Sequence, residues 1–180
     1  ERKKALVDYA LPKNIKKMQA DMEKYKIFYD KWFFESELHK SGAVKAVVDL
    51  LTEKGLTYEK EGAVWYKNKE VLTQKLLKEG KSQKYIDNLE LKDDVLIRQN
   101  GNPTYFTADI AYHKNKFDRG FTTLIDVWGA DHHGHVMRMK GAMDAIGYDG
   151  DKLNVVLMQL VKLVKDGELV RMSKRTGKAI

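Results

Sequence analysis

Residues 122–160 read TTLIDVWGADHHGHVMRMKGAMDAIGYDGDKLNVVLMQL, and this stretch decides the fold. The run at 122–128 is mostly apolar, which is typical of a strand buried on both faces, and a second apolar run lies at 154–160. Between them the spacing predicts a helix through Met139 that ends at Gly147. A strand, a helix and a strand in this order form the unit of a parallel sheet, so we expect an α/β fold.

The rest of the chain divides into a mostly helical part at residues 1–93 and a regular part at 94–180. In the first part we predict a helix begun by Pro12, a strand or extended segment at 27–36, and a helix from Ala43 to Lys54 stopped by Gly55. A hairpin turning at Glu61–Gly62 and a peripheral polar stretch at 68–94 should follow. In the second part we predict a strand at 94–98, a turn at Asn100–Gly101 and a short returning segment at 103–106. A helix capped by Thr107 and ended by Gly120 should follow, and a hairpin should form at Asp166–Gly167.

Composition sets wide limits on function. The chain has 180 residues, 43% of them hydrophobic, with a net charge of +7 and no cysteine. This balance favours a polyanionic partner, although a solvated basic surface would look the same. The absence of cysteine fits a reducing cytoplasm, no apolar run is long enough for a membrane span, and a first residue of Glu suggests a piece of a longer chain.

Three histidines and an aspartate are concentrated in GADHHGHV, residues 129–136. The segment follows a predicted parallel strand, where ligands bind in such sheets. Asp131 could accept hydrogen bonds from sugar hydroxyls, and Gly129 could let a ligand approach the backbone. A zinc site is disfavoured because the histidines are too close in sequence to converge on a helix. Polar residues that merely fill helix-start positions remain an alternative.

The C-terminal segment ELVRMSKRTGKAI, residues 168–180, is basic and contains glycine. It could be a flexible cationic tail or a nucleic-acid patch. It could also be a mobile lysine loop that neutralises charge on a transferring phosphoryl group. Its position after a predicted strand–helix–strand unit favours the last interpretation.

RMSKR resembles K-M-S-K-S, the second signature of class I aminoacyl-tRNA synthetases, and among them the chain is similar to arginyl-tRNA synthetases. The similarity extends over YDKWFFES, YEKEGAVW, PTYFTADIAYHKNKFDRGF, VWGADHHGHV and RMSKRTG. It implies a Rossmann-like nucleotide-binding core, of which 94–180 would be the second half only. It also implies ATP-dependent activation of arginine to arginyl-adenylate and transfer to tRNA(Arg), with Mg²⁺ accompanying ATP and no tightly bound metal or membrane partner.

The resemblance also implies roles for individual residues. Lys174 and Arg171 would be catalytic; Glu35, Tyr105, Asp109 and His132 would bind arginine; and Gly129, Asp131, His135, Met172 and Ser173 would contact ATP or the adenylate. Carboxylates suit a guanidinium because its N–H donors form a fixed fork. Asp109 could instead be a charge in the first helical turn, and Glu35 could simply be solvated.

The chain departs from the family pattern in two ways. Arg171 stands where the motif has lysine, which keeps the charge but changes the geometry. The H-I-G-H signature and the anticodon-binding domain are absent, so we expect this chain alone to be inactive. A basic nucleic-acid-binding module and a histidine-rich metal hydrolase remain alternative functions.

Overall fold

The structure is a computed structural model, and it describes residues 1–170. The chain divides into a unit at Glu1–Phe34 and a second unit that begins at Glu35. The first unit contains α1 (Arg2–Lys24), which has no buried residue, and Pro12 lies inside it. The prediction that Pro12 begins this helix is therefore wrong: the residues before it are mostly good helix formers, and they extend the helix despite the lost N–H bond.

No strand forms between α1 and the second unit. Residues 27–34 are irregular, with the rings of Tyr29 and Trp32 packed edge to face at 5.3 Å. The segment was predicted as extended through residue 36, but Glu35 already begins a helix.

The second unit holds the remaining elements. In chain order they are α2 (Glu35–Lys40), α3 (Ala43–Glu53), β1 (Thr57–Lys60), β2 (Ala63–Tyr66), α4 (Asn68–Lys78), α5 (Gln83–Asn88), β3 (Asp94–Ile97), α6 (Tyr105–Asp118), β4 (Leu124–Gly129), α7 (His133–Ile146), β5 (Leu153–Met158), β6 (Leu163–Lys165) and β7 (Glu168–Val170). Short 3₁₀ turns lie at Ala130–His132 and Gly150–Lys152.

Two small sheets position the site. β1, β2 and β3 form an antiparallel sheet in that order, and the predicted hairpin is confirmed, with φ of 55° at Glu61 and 73° at Gly62. β4 and β5 pair in parallel, with α7 between them in sequence, as the opening stretch predicts. β6 and β7 form the hairpin predicted at Asp166–Gly167.

β4 alternates in burial, whereas a strand covered on both faces was predicted. Leu124 and Asp126 are buried, but Ile125 and Val127 are 68% and 67% exposed. One face of the strand packs on the helices, and within the described residues the other face is open.

The core lies between the helices and these sheets. α3 buries Val44, Val47 and Leu51, as its periodicity predicts, and packs against α6. The stretch at 68–94 is not merely peripheral, because α4 buries Leu72 and Leu76 and packs along α7. The many charged residues of this stretch made the apolar face of α4 difficult to recognise in the sequence.

Gly150 is required by a close backbone approach. Its N–H donates to Asp144 Oδ1 at 2.7 Å, and a Cβ at this position would collide with the backbone carbonyl of Lys140. Because a backbone atom cannot rotate away, we expect Gly150→Ala to lower the free energy of unfolding by about 1–3 kcal/mol. Urea denaturation of the 180-residue chain would measure this. Gly134→Ala is the control, since a Cβ there meets nothing within 4 Å, and equal losses in the two variants would contradict the assignment.

Candidate functional site

The first turn of α6 is held by Thr104, and not by Thr107 as predicted. The Thr104 hydroxyl accepts a hydrogen bond from the Thr107 backbone N–H at 3.4 Å, which is the geometry of a helix N-cap. Thr107 itself is fully buried, and its hydroxyl donates to the Leu96 carbonyl at 2.8 Å. The start of α6 is thereby tied to β3, and Tyr105 projects from it with 78% of its surface exposed.

Asp109 lies one helical turn after Tyr105 and faces α7. Its Oδ2 is 3.3 Å from His135 Nε2, and the side chains are 48% and 17% exposed. The approach lacks hydrogen-bond geometry, so the buried Nε2 has no hydrogen-bond partner among residues 1–170. The Asp109 carboxylate therefore lies beside the His135 ring nitrogen and is exposed enough for a ligand to reach it.

The ring of Trp128 contacts the rings of three histidines. The ring centroid of Trp128 lies 5.2 Å from that of His135, 6.2 Å from that of His113 and 6.3 Å from that of His132. The ring of Phe106 also meets His135 edge to face at 5.6 Å. These contacts join α6, the end of β4 and the start of α7 into one aromatic wall beside Asp109.

Beside these rings, the buried carboxylate of Asp126 contacts two basic side chains. Asp126 is 8% exposed; His113 Nε2 meets its Oδ2, and Lys116 Nζ donates to its Oδ1 at 2.7 Å. Burial acts to raise the pKa of Asp126, but the His113 and Lys116 contacts outweigh it and hold the pKa below its usual value. Asp126 is therefore ionised at neutral pH.

This lowered pKa predicts a stability change in acid. A carboxyl group whose pKa is lower in the folded state stabilises the fold above its unfolded pKa, about 3.9, and loses that contribution as the pH falls through the folded value. Asp126→Asn should destabilise the chain by about 3–5 kcal/mol at pH 7, because Lys116 loses its counter-ion and His113 loses its carboxylate partner in a buried site. It should also make the free energy of unfolding fall less steeply as the pH is lowered into the acid range. Urea unfolding at pH 7 and in acid would test both effects, and an unchanged acid slope would show that Asp126 does not contribute it.

A second carboxylate near the site already holds a guanidinium. Arg138 of α7 donates to both oxygens of Asp94, with Nε at 3.0 Å, and its guanidinium lies 4.8 Å from the ring centre of Phe106. Burial raises the pKa of Asp94, and the charge of Arg138 opposes that rise. Asp94 and the ring of Phe106 are therefore already occupied by Arg138, and the pair shows how a carboxylate and an aromatic ring hold a guanidinium in this protein.

The carboxyl end of β4 is open to solvent. Gly129 ends the strand, and Asp131 and His132 in the following 3₁₀ turn each have side chains 60% exposed, with 4.0 Å between His132 Nε2 and Asp131 Oδ2. A Cβ at position 129 would lie 2.5 Å from Asp131 Oδ1, so the glycine makes room for that carboxylate. This turn offers an exposed acceptor at the strand end.

The structure brings together several of the residues predicted from the sequence. His132 and His135 both contact Trp128, Asp109 lies beside His135, and Tyr105 precedes Asp109 on the same helix. Glu35 begins α2, a helix that packs on α6; its carboxylate lies 3.3 Å from His39 Nε2 and is 59% exposed. The predicted Arg171, Met172, Ser173 and Lys174 lie outside the described residues.

Sequence reasoning missed Phe106, His113, Asp126 and Trp128. Two signals were available: Asp126 is the one charge in the apolar run at 122–128, and His113 follows Asp109 at the spacing of one helical turn. Within residues 1–170, no group of three or more acidic or histidine side chains is arranged to hold a metal ion, and no helix is long and apolar enough to cross a membrane.

The fold and the site together define an α/β protein whose polar residues gather at the carboxyl end of a parallel strand. No family model matches the chain. It is 57% identical over 181 residues to the arginine–tRNA ligase of Caldanaerobacter subterraneus subsp. tengcongensis, and 53% identical over 181 residues to that of Ruminiclostridium cellulolyticum. Both alignments cover 100% of this chain and 29% of the relative.

Solved structures agree with these relatives. A crystal structure described as that of an arginyl-tRNA synthetase from Campylobacter jejuni superposes with a TM-score of 0.73 and 37% identity, and the match covers 93% of this chain and 33% of that one. The Thermus thermophilus arginyl-tRNA synthetase shares the fold, with a TM-score of 0.62 and 17% identity over 78% of this chain and 28% of that one. The chain is thus related over its whole length to a segment of arginine–tRNA ligases, and it spans about 29% of their length.

Proposed function

We propose that this chain is part of the catalytic domain of an arginine–tRNA ligase, and that it supplies much of the arginine pocket. The observation that carries the proposal is the half-exposed carboxylate of Asp109, held one turn inside α6 beside an aromatic wall. The names of the relatives support the same activity. They give no support to a metal hydrolase or to a non-catalytic nucleic-acid-binding module.

Arginine would be selected through its guanidinium. A carboxylate can accept two parallel N–H donors from this planar group, so Asp109 would bind its edge. Tyr105 is exposed at the start of the same helix and would pack or hydrogen-bond beside the ligand. His132 at the strand end would lie near the amino acid, and Glu35 on α2 would add a second carboxylate.

ATP, taken as its Mg²⁺ complex, would bind at the carboxyl end of β4. The parallel unit of β4, α7 and β5 would be the second half of a Rossmann-like core within residues 94–180, and residues 1–93 would precede it as a connecting part. Asp131 would accept from the ribose hydroxyls at the space beside Gly129, with His135, Met172 and Ser173 contributing to the adenylate site.

Two displacements make up the reaction. An arginine carboxylate oxygen attacks the α-phosphorus of ATP and pyrophosphate leaves, which gives arginyl-adenylate. A terminal hydroxyl of tRNA(Arg) then attacks the carbonyl carbon of the adenylate, and AMP leaves. Lys174 would neutralise the charge that develops on the transferring phosphoryl group. Arg171, three residues earlier in the chain, would assist it.

The 180-residue chain alone should not catalyse arginine-dependent exchange between ATP and pyrophosphate, whereas a full-length protein that contains it should. Adenylation needs groups placed on more than one side of the phosphates, and this chain lacks the H-I-G-H motif. Radiolabelled pyrophosphate exchange, run on both proteins with and without arginine, tests this. Exchange by the short chain would show that the missing motif is dispensable, and no arginine-dependent exchange by the full-length protein would overturn the proposed function.

A further inference from the structure

We infer that His113 is a positioning residue for the arginine pocket. Its ring ties the backbone of Asp109 on α6 to the buried carboxylate of Asp126 on β4, and so fixes where the Asp109 carboxylate stands. The inference rests on the proposed function, because it assigns to His113 an effect on arginine use.

The geometry of the link is direct. His113 Nδ1 lies 2.7 Å from the backbone carbonyl oxygen of Asp109, and its Nε2 meets Asp126 Oδ2. His113 is 3% exposed and Asp126 is 8% exposed, so neither contact competes with bulk water. A single side chain therefore spans from the helix that carries the pocket to the strand that ends at Gly129.

Both neighbours of the His113 ring are hydrogen-bond acceptors. A backbone carbonyl cannot donate, and the Asp126 carboxylate also accepts from Lys116 on its other oxygen. Nδ1 therefore donates to the Asp109 carbonyl, and Nε2 faces the Asp126 carboxylate, so the ring has an oxygen acceptor at each of its two nitrogens. The other groups against the ring are aromatic: Tyr112 at 6.1 Å and Trp128 at 6.2 Å between centroids.

The His113 link holds the start of α6 in place against the end of β4. Asp126 lies three residues before Gly129 on β4, and Trp128 between them contacts the rings of His113 and His135. A break in the link would let the first turns of α6 shift against the strand end. A displacement of about 1 Å in a group that binds substrate can cost about 100-fold in catalytic efficiency.

Two amide variants test the link in a full-length protein that contains this chain. The amide nitrogen of His113→Asn falls near the place of Nδ1 and that of His113→Gln near the place of Nε2, so each keeps one contact and neither spans both. We expect both variants to raise the KM for arginine by about 10- to 100-fold while the KM for ATP stays unchanged. Lys114→Gln is the control, because Lys114 lies on the same helix and pairs with Asp118 and Tyr148 away from Asp109.

The outcomes separate this inference from the proposed function. If the unaltered protein shows no arginine-dependent exchange, the proposed function fails. If it does, and the His113 variants leave the KM for arginine unchanged or lower the use of both substrates equally, His113 is merely structural and the inference alone fails. Should the variants not fold, ¹⁵N spectra of the unaltered full-length protein, labelled at histidine and assigned sequentially, give a second test. A signal from His113 with a proton on Nδ1 is expected, because the Asp109 carbonyl can only accept, and a His113 ring without that proton overturns the inference.

Discussion

Asp109→Asn, made in a full-length protein that contains this chain, should weaken the use of arginine by about 2–5 kcal/mol, or about 30- to 5,000-fold in kcat/KM for arginine. The substitution keeps the size of the side chain but removes the charge that pairs with the guanidinium. The KM for ATP should stay nearly unchanged, because the nucleotide is proposed to bind at the carboxyl end of β4. Exchange kinetics with arginine and ATP varied separately would measure both constants.

Asp118→Asn is the matched control for this change. Asp118 lies on the same helix and its side chain is 47% exposed, close to the 48% of Asp109, but it pairs with Lys114 at 2.7 Å. α6 begins at Tyr105, so Asp109 lies in its second turn and is not the first-turn charge that the sequence allowed. If it is only a surface charge there, its replacement should cost at most about 0.3–1 kcal/mol of stability and leave arginine kinetics alone. An unchanged kcat and KM for arginine would remove Asp109 from the pocket.

Lys174→Ala should lower the rate of arginine activation by on the order of 100-fold or more, with little change in arginine affinity. The expectation comes from the RMSKR sequence, where Lys174 matches the second lysine of the family motif. A preorganised cation that acts on charge formed only in the transition state affects the rate far more than the binding of the ground state. Single-turnover adenylate formation would separate the two quantities.

Arg171→Ala is the comparison within the same loop. We expect a smaller loss, because this position already departs from the motif and is less suited to a contact that depends on geometry. Equal losses from the two substitutions would mean that the loop acts as a diffuse positive patch, and this would contradict the specific role of Lys174.

The periodicity of apolar residues predicted the parallel unit of β4, α7 and β5 and the buried face of α3. These elements carry strong local signals, and tertiary packing does not oppose them. Pro12 and Thr107 were misassigned because each residue type also occurs inside helices when its neighbours favour continuation. The role of α4 was hidden because Leu72 and Leu76 lie among many charged residues, and burial depends on a partner helix about 60 residues away in sequence.

For the site, the sequence identified residues that bear chemistry but not those that hold them in place. Asp109 and His135 were named separately, and their 3.3 Å approach depends on how α6 and α7 cross. His113 and Asp126 lie within quoted stretches but were given no role, because their importance comes from burial and from their contact with each other, which a single sequence does not report. Glu35 stays a prediction as an arginine ligand, because the structure shows its carboxylate near His39.

The most direct test of the central claim, that this chain carries the arginine-selecting part of an arginine–tRNA ligase, is pyrophosphate exchange by the unaltered full-length protein with arginine, citrulline and lysine compared side by side. Citrulline keeps the shape of arginine but has a neutral group in place of the guanidinium, and lysine keeps the charge without the planar fork. A site built on the Asp109 carboxylate predicts exchange with arginine and rejection of citrulline by about 10⁴-fold or more, with lysine also rejected. Comparable exchange with citrulline, or none with arginine, would contradict the account.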